Sequence, residues 1–171
     1  TVGLEIAEDL PSVAAVLVPI GGGGLASGVA VAVRALAPGA RIIGVEPELA
    51  ADAQESLATG RIVAWPADRV SRTIADGTRT QSIGHLNFAH LHVLLDDVVT
   101  VTELEIAAAV RLAAEEARLV VEPSGALAIA AMRFHAAEAG LRGLDGPVVA
   151  VVSGGNVDLA RFAQLVGACP S

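Results

Sequence analysis

An α/β fold with an open, mostly parallel sheet and helices on both faces is predicted by three features of the sequence. Short β-branched runs alternate with helical patterns of ten or more residues, the spacing of βαβ units. Two of those runs end in glycine-rich turns that lead straight into helices, "VPIGGGGLASGVA" and "VVSGGNVDLA". Hydrophobic residues make up 53% of the 171 against 18% charged, which excludes a disordered chain and allows one sizeable core. With three Phe, one Trp and no Tyr, that core must be aliphatic.

In chain order, the opening "TVGLEIAEDLP" is already amphipathic and helical, and it starts without Met, as a fragment of a longer chain would. Strands are predicted at Ala14 to Ile20, Arg41 to Glu46, Asp97 to Val101 and Pro147 to Val152. Helices are predicted at Leu25 to Leu36, Ala51 to Thr59, Leu86 to Leu95, Glu103 to Leu119, Ser124 to Glu138 and Asp158 to Val166. Thr102 and Glu105 form a capping box for the helix from Glu103, and Gly140 stands where a C′ glycine would end the helix from Ser124. The polar segment from Gly60 to Gly84 is too long for an ordinary connection, and such segments tend to be functional or mobile.

Composition excludes several classes of function. A net charge of −8 argues against nucleic acid as a partner. No apolar run reaches the length of a membrane span without Gly, Pro or charge, and the start has no basic leader, so the expectation is a soluble, cytoplasmic protein with no membrane partner. The single Cys169 offers neither a disulfide nor a metal quartet. All eleven basic residues are Arg, so this chain cannot form a lysine Schiff base.

The first glycine turn points to a phosphate. A strand that feeds a glycine-rich turn into a helix gathers backbone N–H groups and the positive helix end at one point. Gly21, Gly22, Gly23, Gly24 and Leu25 are the candidate donors; close strand–helix packing without a ligand is the structural alternative. Gly21, Gly23 and Ala26 also satisfy a G-x-G-x-x-A dinucleotide fingerprint, and Glu46 ends the next strand where a ribose-binding acid belongs, so an NAD(P)-binding domain of a dehydrogenase is a second reading. At the second turn, Ser153 offers a hydroxyl, while Gly154 and Gly155 would let a flat ring approach the backbone; an ordinary turn capped by Ser and Asn is the alternative. Glu46 and Asp52 read, on their own, as a strand-end and a helix-start carboxylate.

Other constellations are weaker. His85, His90 and His92 do not share a helix face suited to zinc, and His135 reads as a solvated or capping residue. Asp96 and Asp97 read as a turn. Arg69, Arg72 and Arg79 could rim a substrate carboxylate, although loop arginines are usually solvated.

Six segments in order, "VPIGGGGLASGVA", "GVEPELAAD", "TIADGTRT", "DDVVTVTELEI", "VEPSGALAIAA" and "VVSGGNVDL", resemble the threonine/serine dehydratase and serine racemase family of pyridoxal phosphate enzymes, which have the tryptophan synthase β-like fold. The resemblance runs from the first residue to about Leu159. It implies that residues 1–171 are the C-terminal part of such an enzyme, lacking the N-terminal half and the small domain. The Schiff-base lysine, the opposing serine and the asparagine beside the ring would all lie in that missing half.

The resemblance further implies roles. Gly21 to Gly24 with Leu25 would bind the cofactor phosphate, and Ser153 would hydrogen-bond the pyridine nitrogen, with Gly154 beside it. Glu122 and Ser124 of the EPSGA turn, and Asp76 and Gly77 of the ADG turn, would border the cofactor. Some members bind Mg²⁺ or Ca²⁺ through positions that fall on Glu46, Ala50 and Asp52. The implied activity is β-elimination from L-threonine or L-serine to a 2-oxo acid and ammonia, with racemase or hydroxyaspartate dehydratase activity as variants. The implied partners are an amino-acid substrate, the missing half and a second copy in a homodimer, and the fragment alone would be inactive. A non-catalytic module that binds pyridoxal phosphate or phosphate is the third reading.

Overall fold

The computed structural model describes residues 1–167, and Cys169 lies outside them. Strands β1 (Ala15–Pro19), β2 (Arg41–Pro47), β3 (Asp97–Val101) and β4 (Val148–Ala150) form one parallel sheet in the order β3-β2-β1-β4. The chain runs outward from β1 through β2 to β3, then returns to add β4 on the other side of β1. The connection order therefore reverses between β1 and β4, and in open α/β sheets ligands bind at the carboxyl ends of strands at such a reversal.

Strand periodicity assigns the two faces. Val16, Val18 and Ile42 point to one side and pack beneath α1 (Val2–Asp9), α2 (Gly24–Leu36) and α5 (His85–Leu94). Leu17, Ile43 and Val45 point to the other and pack beneath α6 (Glu103–Ala117), α7 (Leu127–Phe134) and α8 (Leu159–Gly167). Because both faces are covered, β1 reads as an unbroken apolar run and is buried along its whole length. The edge strand β3 is protected by side chains: the Val98 N–H donates to Asp97 Oδ1 (2.8 Å), and its carbonyl accepts from Gln54 Nε2 (2.9 Å) on α3 (Asp52–Thr59).

The predicted boundaries need four corrections. The helix expected to reach Leu119 stops at Ala117, because Arg118 turns left-handed at φ 57° and the Leu119 N–H returns to the Ala113 carbonyl (3.0 Å). The helix expected over Ser124 to Glu138 is instead a 3-10 turn, Pro123–Ala126, followed by α7. Gly140 is left-handed as expected (φ 64°), yet it closes a detached turn beyond α7, with Leu141 N–H on the Ala136 carbonyl (2.8 Å) and Gly140 N–H on that of Ala137 (3.1 Å). Strand β4 pairs only from Val148 to Ala150, since it lies at an edge and the chain leaves the sheet toward the second glycine turn. The capping box forms as expected: Thr102 Oγ1 accepts from Glu105 N–H (3.2 Å), and Glu105 Oε2 accepts from Thr102 N–H (2.8 Å).

The segment from Gly60 to Gly84 is packed against the body of the protein. It contains α4 (Ala67–Val70) and a 3-10 turn, Asp76–Thr78, and is anchored by buried Trp65, Val70, Thr73, Ala75 and Ile83. Trp65 Nε1 donates to Glu55 Oε2 (2.7 Å), and the Arg69 guanidinium lies 3.1 Å from the centre of the Trp65 ring. Among the described residues no helix is long and apolar enough to cross a membrane.

Candidate functional site

The turn after β1 ends with Gly23, which is buried and left-handed (φ 88°), and α2 begins at Gly24 without a side-chain cap or an acid in its first turn. That conformation restricts Gly23 to glycine. The N–H groups of Gly23, Gly24 and Leu25 donate to no group among the described residues. Uncapped donors at the positive end of a helix form an anion site. A side chain at Gly24 would meet nothing within 4 Å, so this position opens directly onto space.

The space is a cleft of about 220 Å³ at the reversal point. Gly21 to Leu25 form one wall, and Gly77 with Thr78, then Glu122, Ser124 and Ser153, form the others. The opposing turn is held by Ser124 Oγ, which accepts from the Gly77 N–H (2.8 Å), while Asp76 Oδ1 accepts from the same N–H (3.0 Å). Ser153 is exposed, and its hydroxyl bonds to no other group among the described residues. Glu122 is the only charged residue in the wall, so an anion here would be held by backbone N–H groups and the helix end, with no cationic side chain.

Nine of the eleven candidate cofactor contacts therefore line one cleft: Gly21 to Leu25, Gly77, Glu122, Ser124 and Ser153. Asp76 and Gly154 do not line it. Asp76 faces the Gly77 N–H. Gly154 and Gly155 serve close packing within the chain: a Cβ on Gly154 would lie 2.5 Å from Glu122 Oε1, and one on Gly155 would lie 2.5 Å from the Val120 carbonyl. The chain's own packing requires both positions to be bare on the side where a Cβ would stand. Glu122 also accepts from Asn156 N–H (2.9 Å) and donates its own N–H to the Gly154 carbonyl (3.1 Å), tying the second glycine turn to the EPSGA turn. Sequence reasoning missed Thr78 in the wall and Asn87 behind it; the first follows directly on the ADG turn, and nothing local marked the second.

The arginine rim does not form as expected. Arg69 stacks on Trp65, and Arg79 donates from Nε (3.0 Å) and Nη2 (2.6 Å) to the Thr73 carbonyl. Arg72 and Arg79 share a separate hollow with Asp76 and Glu122. His90 Nδ1 lies 2.7 Å from the Leu86 carbonyl, and His92 stacks on Phe88. His135 is more than a solvated or capping residue, since it sits between Glu105 and Glu138.

Glu46 lies near the end of β2, beneath the start of α3, where Asp52 is the first residue and Ala50 closes the preceding 3-10 turn. Glu46 is fully buried, with Oε1 accepting from Ala53 N–H (3.1 Å) and Oε2 from Gln54 N–H (2.7 Å), so it caps the start of α3. Burial pushes its pKa up to about 8; the Asp52 charge adds to the rise, and the two N–H donors oppose it. Asp52 is 1% exposed, and burial raises its pKa to about 6 against the opposing backbone N–H groups of Asp52 and Ile83. A fully enclosed Glu46 cannot reach a ribose, which removes the acid that the dinucleotide reading required.

Residues 1–154 match the family model described as pyridoxal-phosphate dependent enzyme. Over 163 residues the chain is 40% identical to the L-threo-3-hydroxyaspartate ammonia-lyase of Saccharomyces cerevisiae, covering 95% of this chain and 48% of that protein. It is 43% identical over 166 residues to the L-threonine ammonia-lyase of Geobacter sulfurreducens, covering 97% of this chain and 40% of that one. The structure of maize serine racemase superposes with a TM-score of 0.85 at 39% identity, over 95% of this chain and 49% of the other. The chain thus spans about half the length, or less, of these relatives. A parallel sheet with a phosphate-type cleft at its reversal point, an enclosed Glu46, and a family match over most of the sequence lead to one conclusion: the chain belongs to the pyridoxal-phosphate dependent enzyme family.

Proposed function

We propose that this chain is the phosphate- and ring-binding part of a pyridoxal phosphate-dependent ammonia-lyase that converts L-threonine or L-serine to a 2-oxo acid and ammonia. The serine racemase and hydroxyaspartate ammonia-lyase activities of its relatives are the nearest variants. The observation that carries the reading is the convergence of the uncapped start of α2, the Gly77–Ser124 wall and the unengaged Ser153 hydroxyl on one cleft. Bound pyridoxal phosphate would supply the electron sink that lets an α-proton and then a β-hydroxyl leave the substrate. The N–H groups of Gly23, Gly24 and Leu25 would hold the phosphate. Ser153 would hydrogen-bond the pyridine nitrogen as a neutral partner, and a hydroxyl holds its proton too tightly to protonate that nitrogen fully. Gly77 and Ser124 would fix the far wall of the cleft.

The chain has no lysine, so the covalent anchor and the base must come from polypeptide outside these residues, and the proposal makes the isolated chain inactive. The family resemblance extends the proposal to a cytoplasmic homodimer. For a cation, Glu46, Ala50 and Asp52 are a fitting donor set. Two enclosed carboxylates whose burial disfavours their charge would be relieved by a hard divalent ion that a backbone carbonyl and waters complete.

The test is a titration of the full chain with pyridoxal phosphate, followed by absorbance and competed with inorganic phosphate. Saturable binding that phosphate displaces and Ser153→Ala weakens is expected. Absence of binding, or binding indifferent to both, would refute the assignment. Dehydratase activity in the lysine-free chain alone would overturn the proposed division of labour.

A further inference from the structure

We propose that Asn87, at the start of α5, is a positioning residue that locks the Gly22–Gly23 peptide in the orientation needed to bind an anion. The inference rests on the phosphate reading given above. Asn87 Nδ2 donates to the Gly22 carbonyl at 2.6 Å, and the Gly84 N–H donates to the same oxygen at 3.1 Å. Both donors approach from α5, outside the residues that line the cleft. No peptide among the described residues is cis, so in this planar trans unit the Gly23 N–H points opposite to the Gly22 carbonyl, away from α5.

The lock is needed because the peptide joins two glycines. Rotating it by half a turn would take Gly23 from φ 88° to the negative side, and glycine tolerates both states. The flipped state would present a carbonyl oxygen where a phosphate needs an N–H. Shape reinforces the lock: a Cβ at Gly23 would lie 2.8 Å from Asn87 Cβ and 3.1 Å from Ile83 Cγ1, so the helix start is pressed against the turn. Ser27 Oγ, on α2, reaches the Asn87 carbonyl at 3.5 Å and links the two helices behind the turn. Without the Asn87 amide only the longer Gly84 bond opposes rotation.

The test compares the full chain with Asn87→Ala and with Asn87→Leu, which keeps the bulk but removes the donor. Gly23 φ is read from the amide–Hα couplings of ¹⁵N-labelled protein, and affinity is read with inorganic phosphate and with pyridoxal phosphate. Both variants should show an averaged Gly23 φ and bind both probes about tenfold more weakly, as expected for losing one hydrogen bond to a charged group. An unchanged φ in a folded variant would overturn the lock, and so would a changed φ with wild-type affinity. If the wild type binds neither probe, the phosphate reading fails; the φ comparison then still decides whether Asn87 sets the peptide. Asn87→Leu guards against loss of fold in Asn87→Ala, and its thermal midpoint should stay close to that of the wild type.

Discussion

Gly24 and Gly23 stand side by side and should respond to alanine in opposite ways. At Gly24 the backbone is helical and an added methyl meets no neighbour within 4 Å. Gly24→Ala should therefore raise stability by about 0.4–1 kcal/mol by restricting the unfolded chain. The same methyl enters the cleft, so affinity for pyridoxal phosphate should fall. Gly23→Ala must instead adopt a left-handed conformation at a cost of about 1–2 kcal/mol, and it presses on Asn87, so stability and affinity should fall together. Denaturant unfolding and cofactor titration of the two variants check this split; equal loss of stability in both would contradict the open position of Gly24. Ser153→Ala should leave unfolding unchanged, because the hydroxyl has no partner among the described residues, and weaken cofactor binding by about 1 kcal/mol. At this scale the placement of the glycine turn and Ser153 on one cleft was legible, because the glycine-rich turns that follow β1 and β4 lie at the same end of the sheet. The packing of Gly154 on Glu122 was not legible, since bareness in sequence does not reveal which group occupies the space on the Cβ side. Asn87 gave no signal because its partner is 65 positions away.

Helices α6 and α7 are joined by a link that responds to pH. His135 follows the last turn of α7, with Nε2 3.0 Å from Glu105 Oε1 and Nδ1 2.8 Å from Glu138 Oε2, and Glu105 belongs to the capping box that starts α6. Burial pulls the His135 pKa down, but the hydrogen bonds and charges of Glu138 and Glu105 outweigh it and raise the pKa above 6.5. For Glu105, burial raises the pKa, but the Thr102 N–H and His135 outweigh it and bring the pKa below 4.5. The histidine contribution is complete below its unfolded pKa and fades as pH rises through the folded value. The glutamate contribution is complete above its unfolded pKa and fades as pH falls through the folded value. The link is therefore strongest between 4.5 and 6.5. His135→Ala should cost about 0.5–1 kcal/mol within that window and less at pH values above the raised His135 pKa. Urea unfolding of both proteins at the two conditions measures this; a difference independent of pH would rule out the charged pair. Thr102→Ala should cost about 1 kcal/mol at either condition through loss of the cap. The elements themselves were legible because β1 and β2 are short β-branched apolar runs that alternate with longer helical patterns. The end of α7 was not, because alanines run on past Phe134 with no local stop and the break is set by the tertiary bridge at His135.

The molecule as a whole is asymmetric at its two sheet edges. On β3 the outward N–H and carbonyl of Val98 are occupied by Asp97 and Gln54. On β4 the pairing to β1 uses the Pro147 carbonyl, which accepts from the Ala14 N–H, and the Val151 N–H, which donates to the Leu17 carbonyl. By alternation the backbone groups of Val148 and Ala150 face outward, and among the described residues no strand pairs with them. This unprotected edge ends at the reversal point, beside Ser153 and the glycine wall, and the strand itself is half-buried. On the function proposed above, which requires a lysine from outside these residues, this bare edge beside the cleft is where that polypeptide would join the sheet. Amide hydrogen exchange can test the idea. In the isolated chain Val148 and Ala150 should exchange faster than Val149, whose groups face β1. Mixing with the N-terminal half of a related ammonia-lyase should slow Val148 and Ala150 and bring dehydratase activity together with that protection. Activity without protection of these two amides would place the joining surface elsewhere. Protection without activity would mean that the sheet can be completed while the lysine and the glycine wall stay out of register.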